Sequence, residues 1–76
     1  MIRFRLKELI AEKEFTEERR VTLGEVATAT EIARSTISRI ANTKGCNVST
    51  DNLDKLCAFF KVDLGALAEY IPDEEL

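Results

Sequence analysis

The chain contains no histidine, a single proline and three glycines. Without histidine, the commonest general base and the commonest nitrogen ligand for zinc are both missing. The two cysteines, Cys46 and Cys57, stand eleven positions apart, a spacing that matches no zinc motif. They read as small, partly apolar side chains rather than a redox pair, and Cys57 falls on an apolar helix face. Three scattered glycines make no phosphate-cradling loop. The carboxylates fall at helix-surface and cap positions, where solvation or capping is their ordinary role. These absences exclude the usual catalytic constellations. The sequence therefore predicts a protein that is not an enzyme and uses no cofactor, metal or small-molecule ligand.

Long apolar runs are missing too. No stretch approaches the roughly 18 residues needed to cross a bilayer. The beginning, MIRFRLKEL, is basic but soon broken by an acidic residue, with no signal-peptide segment and no small-residue cleavage site. The expectation is a cytoplasmic protein with no membrane partner. Internal repeats and low-complexity stretches are absent as well, and 76 residues suffice for one domain, spanning 1–76.

The net charge of -3 weighs against a polyanionic partner until its distribution is read. Residues 1–47 carry nine Lys/Arg against seven Asp/Glu, a balance of +2, and residues 48–76 carry two against seven, a balance of -5. The acidity lies in the C-terminal third, and a docking partner responds to the local field more than to the total.

What is present is helical spacing. Leu6, Leu9 and Ile10 place a first helix over about Phe4 to Glu18. The only strand-like alternation, Ile2 to Arg5, is too short to specify a strand. Thr22 and Glu25 form a capping box at the start of a second helix carrying Leu23, Val26 and Ala27. A third helix runs from about Arg34 to Ala41. At 100° per residue, Arg34, Ser38, Asn42, Ser35 and Arg39 fall within one arc of about 140°, with Ile37 and Ile40 on the opposite side. Gly45 suits a positive φ after that helix. Ser49 caps a fourth helix with Leu53, Leu56, Cys57 and Phe60 at i, i+3, i+4, i+7. Asp63 opens a fifth with Leu64, Leu67, Ala68 and Ile71, which Pro72 stops, leaving a frayed acidic tail at 72–76. Five short helices with short connections define a compact all-α domain.

The stretch Thr22 to Asn42, TLGEVATATEIARSTISRIAN, resembles the helix-turn-helix of the phage Cro and repressor family, often called XRE-like. Ala27 stands inside the second helix, Ile32 in the turn, Ile37 and Ile40 inside the third, and Asn42-Thr43-Lys44 after it. The first helix and TDNLDKLCAFFKVDLGAL correspond to the remaining helices, so the resemblance covers roughly residues 4–71. It implies a lambda-repressor-like five-helix fold and a transcriptional regulator that binds double-stranded DNA, usually as a homodimer on a symmetric operator. It also implies bacterial or phage use in the cytoplasm. Three positions depart from the family pattern. Glu31 stands where the turn carries glycine, Ala33 where the third helix has a Ser or Thr cap, and Leu23 where the second helix offers a phosphate-clamping Gln.

Carried over by position, Arg34, Ser35 and Arg39 occupy the base-reading places, and Ser38 joins them on the same flank. An arginine fork matches the N7 and O6 acceptors of guanine. Thr22, Thr36, Asn42 and Lys44 are the expected phosphate contacts, from two helix starts and from the loop after the third helix. Arg19 and Arg20 are read as surface partners of Glu17 and Glu18 in preference to phosphate ligands. Phe59, Tyr70 and Ile71 are the expected dimer contacts. The alternative reading is a protein-interaction module on the same scaffold, antitoxin-like or adaptor-like, with weak DNA binding or none.

Overall fold

The computed structural model describes residues 1–75. The chain begins with strand β1 (Ile2–Phe4) and passes into α1 (Leu6–Glu17). Then come α2 (Leu23–Thr30), α3 (Arg34–Asn42), α4 (Thr50–Phe60) and the one-turn α5 (Leu64–Leu67). Strand β2 (Ala68–Tyr70) and a 3-10 turn over Asp73–Glu75 follow. Each helix contributes to one core: Leu6, Val26, Ile37 with Ile40, Leu56 and Leu67 all have 2% exposure or less. Ile10, Val21, Ala27 and Ile32 complete the buried set, and Leu9, Leu53, Phe59 and Phe60 pack against it. Burial of each large aliphatic side chain contributes about 1.5–3 kcal/mol, and a domain this small has no second core to fall back on.

Local chemistry sets the helix ends. The Thr22 hydroxyl accepts the Glu25 N–H at 3.0 Å and starts α2. The other half of the expected capping box is replaced, because Glu25 gives both carboxylate oxygens to Arg19. The Ser49 hydroxyl accepts the Asn52 N–H at 3.1 Å and starts α4. Three helices close in the same way, on a left-handed residue that is not glycine: Glu18 (φ 52), Glu31 (φ 59) and Lys61 (φ 57). In α2 the N–H groups of Glu31 and Ile32 both return to the Ala27 carbonyl. In α4 those of Lys61 and Val62 return to Cys57. Such a closure satisfies carbonyls that the last turn leaves free, and the next apolar residue turns inward. Ile32 is 5% exposed. Gly45 does take a positive φ, 67°, but α3 ends earlier, on an extended Thr43.

The chain ends depart from the expected pattern. β1 and β2 form a two-stranded antiparallel ribbon with Ile2 opposite Tyr70, Arg3 opposite Glu69 and Phe4 opposite Ala68. The first helix therefore starts at Leu6 rather than Phe4. The fifth helix stops at Leu67, so Ala68 and Ile71 are not on a helix. Backbone pairing with β1 outweighs one more turn of helix. Arg5 N–H donates to Leu67 O at 2.7 Å, Ile71 N–H donates to Met1 O at 2.8 Å, and Arg3 pairs with both Glu69 and Glu8. The ribbon adds a small β element to a fold that stays mostly helical. Of the acidic tail, Asp73–Glu75 forms the 3-10 turn, and Leu76 lies outside the described residues.

Candidate nucleic-acid interface

The turn between α2 and α3 fixes how α3 is presented. Thr30 is buried and donates its hydroxyl to Val26 O at 2.7 Å, Glu31 supplies the left-handed corner, and Ala33 precedes α3 with ψ 139. Ala33 carries no side-chain cap, so the first turn of α3 relies on backbone bonds from Thr36 and Ile37 to Ala33 O. Ile37 (0% exposed) and Ile40 (2%) anchor the inner face. The opposite face is the one the 100° spacing predicts.

On that outer face Arg34, Ser35 and Arg39 are exposed, and Ser38 and Thr36 are half-buried. Neither Arg34 nor Arg39 forms an ion pair among the described residues, in contrast with Arg3, Lys13, Arg19 and Lys55. Asn42 turns its amide back along the helix, donating to Ser38 O at 2.9 Å and to Ser38 Oγ at 3.4 Å. The two residues thus act as a linked pair, with the Ser38 hydroxyl proton still free to donate. Lys44 is exposed in the loop beyond.

Three of the expected contact residues, Thr22, Arg34 and Asn42, meet along one groove of about 630 Å³ between α1 and the α2–α3 pair. Ser35 and Arg39 lie outside it, and so do Ser38, Thr36 and Lys44. Two further cations line the same groove, Lys7 of α1 and Arg20 of the connector. Lys7 is exposed on α1 and belongs to no sequence motif. Arg20 corrects its expected role: it is exposed and has no carboxylate partner among the described residues. Arg19 takes the surface pairing instead, bridging Glu17 and Glu25. That bridge holds Glu25 below the usual glutamate range through the Arg19 hydrogen bonds. Glu17 is held down by Lys13 first and by Arg19 second.

The departures from the family pattern have identifiable positions. Glu31 lines a shallow depression with Lys55, Ala58 and Phe59 on the α4 side, away from the groove that holds Thr22 and Arg34. Leu23 is half-buried and packs on the core from the groove side. Of the expected dimer contacts, Phe59 meets Phe60 edge-on at 4.9 Å and lies under the Lys13 ammonium at 4.9 Å. Ile71 exchanges backbone bonds with Met1, and Tyr70 is 70% exposed. Both cysteines are free and half-buried, and burial pushes the Cys57 thiol up. No helix among the described residues is long and apolar enough to cross a membrane.

Two helices joined by a tight left-handed corner, the second presenting unpaired arginines on a buried isoleucine base, define a helix-turn-helix DNA-binding module. The chain belongs to the family of Cro/C1-type HTH DNA-binding domains, whose profile matches residues 5–73. That span takes in every α-helix and the second strand of the ribbon, β2. No curated protein matches the chain closely enough to count as a relative.

Proposed function

We propose that the protein is a sequence-specific transcriptional regulator that lays α3 in the major groove of operator DNA. One observation carries the reading. Arg34, Ser35 and Arg39 stand exposed on a helix whose inner side is locked by Ile37 and Ile40, while neither arginine has a carboxylate partner among the described residues. In a chain with 14 acidic and 11 basic residues, arginines left free on one helix face are available to an external polyanion. Arg34 and Arg39 read guanine edges, and Ser35 and Ser38 are short enough to let the helix approach the bases. Thr22, Thr36, Asn42 and Lys44 contact phosphates on either side of the helix. The whole of 1–76 acts as one such domain, and a symmetric homodimer places two copies of α3 on a palindromic site, with Tyr70 the best-exposed contact for pairing.

The test is selection from randomised duplexes, followed by binding of the winner at two salt concentrations. A regulator enriches a defined motif and loses affinity steeply with salt. A second reading, an interaction module, draws on Phe15, which is 85% exposed on the outward side of α1. It predicts that no motif is enriched.

A further inference from the structure

Lys7, Arg20 and Arg34 come from three different elements, α1, the α1–α2 connector and α3, yet line one groove. None of the three has a carboxylate partner among the described residues. The one carboxylate in the groove, Glu14, turns an oxygen to the Val21 N–H at 2.8 Å. Three cations against one anion leave a local balance of +2 in a chain whose total is -3. One neutral donor joins them: the Thr22 hydroxyl accepts the Glu25 N–H and keeps its own proton to donate.

We propose that this groove seats a phosphodiester of the DNA backbone, with Lys7 and Arg20 as its ligands. The inference rests on the DNA-binding reading of α3 and adds contacts that lie off the helix-turn-helix itself. Lys7 and Arg20 stand on neighbours of α3, so they are placed for the strand flanking the helix and not for base edges. Arg34 and Asn42 form the shared border, since both lie on α3 and both line the groove. A strand whose bases face α3 carries its phosphates past that border. Ammonium and guanidinium groups hold phosphate oxygens by charge-assisted hydrogen bonds, which fix register without reading sequence.

The experiment uses the full chain, the selected operator duplex and a random duplex, titrated between about 50 and 200 mM salt. Lys7→Ala and Arg20→Ala are each expected to flatten the slope of log K against log salt by about 0.9, and the double variant by about 1.8. Near 0.1 M salt that slope corresponds to about eightfold weaker binding per variant. The loss is the same for operator and random duplex, and the selected motif does not change. Lys7→Arg retains the slope. Lys61→Ala, at the far end of α4, leaves it unaltered. Thermal melts matching wild type show that the variants are folded. Unchanged slopes in Lys7→Ala and Arg20→Ala overturn the seat, while Arg39→Ala still losing the operator keeps the regulator reading. Saturable binding of inorganic phosphate that Lys7→Ala abolishes, with unchanged duplex slopes, overturns the duplex assignment in favour of a free anion. A wild-type chain that enriches no duplex overturns both.

Discussion

Arg19 holds both carboxylate oxygens of Glu25, Nη1 at 2.8 Å and Nη2 at 2.7 Å. The pair fastens the connector to the first turn of α2, and Arg19 Nε extends it to Glu17 at 2.8 Å. Glu17 in turn takes Lys13, so α1 and α2 are joined by a chain of charges across the connector. The chain occupies the surface, where screening keeps such contacts modest.

Its pH signature follows from sign. Glu25 and Glu17 titrate below their ordinary value of 4.5 in the folded protein. A lowered carboxylate contributes stability above the unfolded value and loses it as pH falls through the folded one. Arg19→Ala is therefore expected to unfold at lower urea than wild type at pH 7, with the gap closing as pH drops below about 4.5. High salt narrows the same gap. A gap indifferent to both pH and salt would mean that Arg19 acts by packing.

Ile37→Ala tests the footing of α3. Removing a fully buried isoleucine costs about 2–5 kcal/mol, a large part of what a small domain possesses. Urea denaturation is expected to show that loss. DNA binding at 37 °C disappears with it, although Arg34 and Arg39 are untouched.

Arg39→Ala separates recognition from folding. The side chain is exposed and unpaired, so the melt stays within a degree or two of wild type. If it reads a guanine, operator affinity falls about 5- to 150-fold, the range set by about 1–3 kcal/mol per bidentate contact. The effect on random duplex is much smaller. Equal losses on both duplexes would reassign Arg39 to phosphate.

Glu31→Gly and Ala33→Ser restore what the turn lacks. Glycine relieves a left-handed φ of 59° and stabilises by about 1 kcal/mol. Serine supplies the missing cap of α3 for a similar gain. Each is expected to raise Tm by about 4–8 °C. Because Glu31 faces Lys55 and α4, its removal leaves DNA affinity little changed; a marked gain would show that its charge reaches the duplex.

Much of this arrangement is legible in the residues because it is local. Thr22 and Ser49 announce helix starts through side chains that reach three residues ahead. The division of α3 between isoleucines and polar residues needs nothing beyond the 3.6-residue period. Glu31 could be placed in a left-handed corner from its position in the motif. The ribbon could not be read this way. Ile2 finds its partner at Tyr70, and no local period records a pairing across nearly the whole chain. Leu64, Leu67, Ala68 and Ile71 do keep a helical period, which the strand partner overrides after one turn. The groove was hidden for the same reason. Lys7, Arg20 and Arg34 share no stretch of sequence, and only the packing of α1 against the helix pair brings them together.

The ribbon has a mechanical corollary. Met1 and Ile71 lie at the same open end of it, bonded to each other through two backbone bonds. A load drawn through those two points parts the strands one pair at a time, like a zip, instead of shearing every bond at once. The helices feel no tension until the last pair has gone, so the ribbon is a weak fuse in front of the helical core.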